Sequence, residues 1–128
     1  MASKRRAIHL KGVSHGPGRP AGSRIGNIIY SATLSGRDPE TGELSEDPAE
    51  QMRMLFETMV RFLDAAGATV DDVIRVEVTL ADSKYREELN VEWAKYFNDE
   101  ESLPTRKAEV GNVGRAIANL ELVAVTDS

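Results

Sequence analysis

The 128-residue chain contains no cysteine. Disulfide bonds, thiolate nucleophiles and cysteine-ligated zinc or iron–sulfur sites are therefore all excluded. No apolar run approaches the roughly 20 residues that a membrane-spanning helix needs. The basic start, Lys4-Arg5-Arg6, is not followed by an apolar stretch of signal-peptide length either. We therefore expect a cytoplasmic protein with no membrane partner.

The chain also lacks an excess of positive charge, since its formal net charge is -5. Proteins that bind nucleic acid gain much of their affinity by neutralising phosphates. The composition therefore argues against nucleic acid as the main partner. With 41% hydrophobic and 29% charged residues, residues 1–128 are expected to form a single globular domain with a modest core.

Glycine and proline divide the first third of the chain. A short extended segment is expected from Arg6 to Lys11, and six glycines and prolines from Gly12 to Gly22 predict a loop. Residues 25–34 are rich in β-branched and aromatic side chains and predict one strand. The Asp-Pro and Thr-Gly pairs in the following segment, residues 36–42, are typical of turns.

A helix is predicted over residues 47–66. Asp47 is suited to cap its N-terminus, Pro48 fits the first helical position, and Glu50 has the spacing of a capping box. Apolar residues recur at helical spacing as far as Ala66, and Gly67 provides the left-handed stop. This apolar stripe predicts a helix that packs against the core.

The second half of the chain alternates between strand and helix patterns. Residues 73–80 predict a half-buried strand with Ile74, Val76, Val78 and Leu80 on one face. A second helix is expected from about Ser83 to Phe97. Residues 106–113 and 116–125 then predict a closing hairpin. The order β, β, α, β, α, β, β predicts an α+β fold, an open sheet with both helices on one face.

Two charged residues in the last strands lie among apolar neighbours. Arg106 has the same parity as Ala108 and Val110, whereas both alternating faces of the final strand around Glu121 are largely apolar. Burying an unpaired charge is costly, so each group needs a partner or a wet cleft. One interpretation pairs Arg106 with Glu121 as a structural salt bridge. In the other, Arg106 binds a ligand carboxylate and Glu121 positions a water or accepts a proton.

Five segments, in the same order along the chain, resemble motifs of the YjgF/RidA family. They are Gly26-Asn27-Ile28-Ile29-Tyr30, Asp38-Pro39-Glu40-Thr41-Gly42-Glu43-Leu44, Ala65-Ala66-Gly67-Ala68 with Asp71-Asp72-Val73, Asn90 to Phe97, and Leu103-Pro104-Thr105-Arg106. The resemblance runs from about Gly26 to Val125. Five segments in register are far more specific than any one of them.

The resemblance implies a chorismate-mutase-like α+β fold with a mixed sheet, and a homotrimer with ligand sites in the clefts between subunits. It also implies hydrolysis of small 2-aminoacrylate-type enamines and imines to 2-keto acids and ammonia. By the same resemblance, Arg106 binds the substrate carboxylate and Glu121 assists the attacking water. No metal or organic cofactor is implied.

Several positions depart from the family pattern and bear on substrate choice. Ala32 and Thr33 occupy the place where the family's deaminases have serine and glycine, so Thr33 is expected to reshape the site. Arg19 lies near the position of a missing tyrosine, and Ala108 stands where cysteine is common. These four residues join Arg106 as expected substrate-binding positions.

The departures leave a second function open. Arg106 and Glu121 favour an enzyme, whereas Thr33 and the missing tyrosine favour a non-catalytic module that binds a small carboxylate metabolite. An endoribonuclease role ranks third because the chain is acidic. The two histidines, His9 and His15, form only a weak metal signal, although His15 in the glycine-rich loop is a further candidate base.

Overall fold

The computed structural model describes residues 4–13 and 17–127. Within these residues the chain forms one seven-stranded sheet and two α-helices. The strands are β1 (Arg5–Ile8), β2 (Gly22–Ile25), β3 (Ile28–Ser31), β4 (Leu34–Ser35), β5 (Val73–Leu80), β6 (Thr105–Val110) and β7 (Ala118–Val125). The helices are α1 (Pro48–Ala66) and α2 (Arg86–Tyr96), and short 3-10 turns precede β5 and α2 at Val70–Asp72 and Ser83–Tyr85.

The sheet is mixed, with the spatial order β1-β2-β3-β7-β5-β6 and with β4 also paired to β7. All pairs are antiparallel except β5 with β6, which are parallel. The expected closing hairpin of residues 106–113 and 116–125 is therefore wrong, because β5 lies between β6 and β7. The helix α2 carries the chain back across the sheet, as a parallel connection requires, and places β6 at the outer edge.

The single strand expected over residues 25–34 is also wrong, because it is broken into parts of three strands. Gly26 adopts a left-handed φ of 56°, and the turn at Gly26 and Asn27 lets Ile25 pair with Ile28 in a tight hairpin. The hairpin begins at Gly22, where a Cβ atom would lie 2.5 Å from the ring of Phe62. This close approach explains why the strand starts with glycine.

The helix α1 matches the sequence prediction at both ends. The Asp47 side chain accepts a hydrogen bond from the backbone N–H of Ala49, and Gly67 ends the helix with a left-handed φ of 83°. Glu50 does not complete the capping box, because its carboxylate contacts Arg53 instead. Among the helices of the described residues, none is long and apolar enough to cross a membrane.

Both helices pack on the same face of the sheet and bury the core there. Met52, Phe56, Met59 and Phe62 of α1 are fully buried. Two paired arginines on the helix-facing side of the sheet, Arg6 of β1 and Arg24 of β2, donate hydrogen bonds to the carbonyl of Ala66 at the end of α1. This contact places cations at the negative end of the helix dipole.

The opposite side of the sheet, the open face, has no helix over it in the described chain. The side chains of Ile25, Ile28 and Tyr30 are 43%, 49% and 60% exposed there. Ile28 lies beside Val125, and Tyr30 beside Val123, so the exposed residues form one continuous apolar corner. Ile74 is also 52% exposed. The prediction that Ile74 shares the buried face with Val76 is therefore wrong. A register irregularity between Val73 and Arg75 turns its side chain outward.

Candidate functional site

The strand register fixes the side of the sheet on which each predicted site residue lies. Arg106 pairs with Val76, and Val76 pairs with Leu122. Since paired residues in adjacent strands point to the same side, Arg106 shares the helix-facing side with these two buried residues. Glu121 is adjacent to Leu122 in β7 and therefore lies on the open face. Within one chain the two charges therefore do not meet, and the salt-bridge interpretation is wrong for a single copy.

The open face carries a cavity of about 460 Å³ beside Glu121. Four of the six predicted site residues line it together, namely Arg19, Ala32, Thr33 and Glu121. The other described residues that line it are Gly18, Pro20, Gly22, Ser23, Tyr30 and Ser31. The cavity is formed where the loop before β2 meets the start of β2, the end of β3 and the middle of β7. Its volume falls in the range of small-molecule sites.

Three polar residues of this cavity, Ser23, Tyr30 and Ser31, are not predicted as site residues from the sequence. Ser23 and Tyr30 pair across β2 and β3, which places both side chains on the open face beside Glu121. The Oγ atom of Ser31 accepts a hydrogen bond of 2.9 Å from the backbone N–H of Leu122. Alternation along β3 would have placed Tyr30 on this face, had the strand boundaries been known.

The carboxylate of Glu121 is exposed and faces another acid. Glu77 lies directly opposite in β5, and the next residue across the sheet is Lys107 of β6. Glu77 forms its own ion pair with Arg75 at 3.3 Å. Among the described residues, no cation forms an ion pair with Glu121. The carboxylate is therefore available to a ligand or a water in the cavity.

Arg106 lies on the edge strand β6, away from this cavity. Its guanidinium carbon is 5.1 Å from the centre of the Trp93 ring of α2, a stacked position that holds the group in place. Ala108 follows on the same side and is half-buried. The exposed Val110 extends this strip of the strand.

The surroundings of Arg106 favour the binding of a negatively charged group. Partial burial lowers the pKa of its guanidinium, and the positive charge of Arg86 acts in the same direction. In the part of the chain that the structure describes, no acidic side chain forms an ion pair with Arg106. Arginine nevertheless stays protonated at neutral pH. A half-buried cation without a counter-charge is suited to bind an anion bidentately.

His9, the one histidine among the described residues, does not line this site. His9 is exposed and lines a second cavity that borders the first at Arg19. His15 falls in residues 14–16, outside the described residues. No group of three or more histidine, aspartate or glutamate side chains within residues 4–13 and 17–127 is arranged to hold a metal ion.

Comparison with known proteins points to one family. The family model described as Endoribonuclease L-PSP matches residues 20–126. A RutC family protein of Pyrococcus abyssi is 37% identical over 86 residues, which cover 66% of each chain. TdcF of Escherichia coli, named as a candidate reactive intermediate deaminase, is 27% identical over 66% of this chain and 67% of its own. The match thus spans just under two thirds of the Pyrococcus relative.

Solved structures match over nearly the whole chain. The crystal structure of E. coli TdcF with bound serine has a TM-score of 0.84 at 24% identity and covers 95% of this chain and 99% of its own. RidA from an Antarctic Psychrobacter bacterium has a TM-score of 0.83 at 26% identity and covers 94% of this chain and 99% of its own. The family model, the RutC relatives and the shared fold together establish that this chain belongs to the YjgF/RidA (Endoribonuclease L-PSP) family.

Proposed function

We propose that the protein hydrolyses small 2-imino acids, and the enamines that give rise to them, to 2-keto acids and ammonia. The observation that carries the proposal is the pair of complementary half-sites. Arg106 is a half-buried cation without an acidic partner among the described residues, and Glu121 is an accessible carboxylate in a small-molecule cavity. A carboxylate anchor and a base for water are the two groups that imine hydrolysis needs.

The two half-sites lie on opposite sides of the sheet, so a complete site requires two copies of the chain. In this arrangement, the edge strand β6 of one copy would dock its Arg106 side against the open face of the next. A head-to-tail contact of this kind closes into a ring when the rotation between copies allows it, and the family resemblance implies a ring of three. Docking would also cover the apolar corner around Ile28 and Tyr30, whose side chains are 49% and 60% exposed in the single chain.

Arg106 would bind the substrate carboxylate through its planar fork. Each charge-assisted hydrogen bond contributes roughly 1.5 to 3 kcal/mol, and the Trp93 ring keeps the guanidinium in one orientation. Serine, the ligand bound in the TdcF crystal structure, also carries a carboxylate. Binding of a small carboxylate therefore fits both the geometry of this chain and the ligand of a structural neighbour.

Glu121 would act on the water. The water oxygen adds to the imine carbon as Glu121 takes one proton, and the π electrons of the C=N bond move to nitrogen. The imine enters protonated, so this addition leaves a neutral amine, which then gains the proton back from Glu121. The C–N bond breaks and ammonia leaves, while the hydroxyl proton passes to Glu121 and the carbonyl forms. One protonated imine and one water thus give one 2-keto acid, one ammonia and one proton, that is, one ammonium ion. An enamine enters the same route after it gains a proton at its β-carbon.

The test measures ammonia release from imines generated in situ from several amino acids. We expect the wild-type protein to accelerate hydrolysis, and Arg106→Ala to lower the rate of the enzymatic reaction. Arg115→Ala serves as a matched control, because Arg115 is exposed and lines a different surface groove. A protein that binds 2-keto acids but leaves all imines at their spontaneous rate would instead support the non-catalytic binding module.

A further inference from the structure

Among the described residues that line the Glu121 cavity, Arg19 is the one with a positive charge. Its side chain is exposed, and no acidic partner for it exists among residues 4–13 and 17–127. Pro20 follows it directly and removes one backbone donor from this wall of the cavity. The proposed imine hydrolysis uses Arg106 and Glu121 and does not require Arg19.

We propose that Arg19 binds a second carboxylate of the substrate, so that the site prefers imines of dicarboxylic amino acids such as aspartate and glutamate. This inference rests on the proposed function, because it needs Arg106 of a neighbouring copy for the first carboxylate. Glu121 would then lie between the two cations, beside the C=N bond. Substrate specificity would be set by Arg19 and chemistry by Glu121.

The charges of the completed site favour such a substrate. Two guanidiniums and one carboxylate carry a net charge of about +1. The protonated imine of a dicarboxylic amino acid carries two carboxylates and one iminium, a net charge of about -1, which neutralises the site. The corresponding imine of alanine or leucine is uncharged overall and leaves Arg19 without a partner. Since Arg19 forms a planar fork, it discriminates a carboxylate from an apolar side chain through two hydrogen bonds.

The experiment compares kcat/KM for imines generated in situ from alanine, leucine, aspartate and glutamate. For Arg19→Ala we expect kcat/KM to fall roughly 10- to 100-fold for the two dicarboxylic imines, the loss of one or two charge-assisted hydrogen bonds. The alanine and leucine imines should be hydrolysed at nearly the parent rate. Arg19→Lys should restore part of the preference, and Arg115→Ala should leave all four values unchanged.

A second measurement separates failure of this inference from failure of the proposed function. Calorimetry compares the binding of 2-oxoglutarate and pyruvate to the wild-type and Arg19→Ala proteins. If the wild type releases no ammonia but binds 2-oxoglutarate more tightly through Arg19, imine hydrolysis is refuted and the role of Arg19 stands. If Arg19→Ala affects monocarboxylic and dicarboxylic imines equally, or neither, the role of Arg19 is refuted and hydrolysis stands. A wild type with neither turnover nor binding would overturn both.

Discussion

The exchange Glu121→Gln tests whether the open-face carboxylate is a base or only part of the scaffold. Glutamine keeps the size of the side chain and much of its hydrogen-bonding capacity, but it does not accept a proton from water at neutral pH. Loss of a general base lowers turnover by roughly 10²- to 10⁴-fold. This factor corresponds to about 3 to 5 kcal/mol in the activation free energy.

The stability of the same variant follows from the position of Glu121 in the sheet. Its carboxylate is exposed, has no ion-pair partner among the described residues, and faces Glu77 across the β5–β7 pair. Directly opposed like charges destabilise a sheet by a fraction of 1 kcal/mol, roughly 0.2 to 1. Removing one of them should leave the free energy of unfolding unchanged or raise it slightly. The melting temperature should then rise by at most about 3 to 5 °C.

Ammonia release and thermal unfolding are measured on the same preparations, with Glu77→Gln as the control. That variant also removes one carboxylate from the open face, but Glu77 does not line the cavity. We expect Glu77→Gln to keep most of the turnover. A Glu121→Gln protein that is as active as its parent would refute the assignment of the base. One destabilised by several kcal/mol would show that Glu121 has a structural partner after all.

Three further predictions follow from the fold and the half-sites. Arg106→Lys should weaken pyruvate binding by about 10-fold or more in calorimetry, because lysine keeps the charge but loses the bidentate fork; equal affinities would contradict the anchor. Light scattering should give a mass of about 42 kDa, three times that of the 14.0 kDa chain. The Ile28→Glu variant should have the monomer mass, because it places a charge in the apolar corner. If this variant is still a trimer, the interface lies elsewhere. Gly36→Ala should destabilise the protein by about 1 to 3 kcal/mol in thermal unfolding, since the new Cβ would lie 2.3 Å from the carbonyl oxygen of Gln51.

The sequence predicted well those elements whose signals are local. The cap at Asp47, the periodic apolar residues and Gly67 fixed the limits of α1, and strict alternation fixed β5 as residues 73–80. Strand pairing could not be predicted in the same way. Alternation does not say which strand lies next to which, so the sequence predicts β6 and β7 as a hairpin although β5 separates them.

The site was also predicted only in part, because some of its features follow from local patterns and others depend on strand pairing. The parity of Arg106 with Ala108 is local and is confirmed by the pairing of β6 with β5. Both faces of β7 are largely apolar in sequence, so the side of the sheet occupied by Glu121 became clear only from its register with Glu77. The loop residue Arg19 reaches the same cavity through the path of residues 17–21, which no periodic pattern encodes.

The placement of Arg106 and Glu121 on opposite sides of one sheet has a genetic consequence. If each site joins Arg106 of one copy to Glu121 of the next, a chain altered at Arg106 still supplies an intact Glu121, and a chain altered at Glu121 still supplies an intact Arg106. Two inactive proteins, mixed through unfolding and reassembly or co-expressed in one cell, should therefore complement each other. With random assembly into rings, about a quarter of the sites receive both intact residues. A heterozygous or merodiploid cell would thus regain activity that neither allele provides alone.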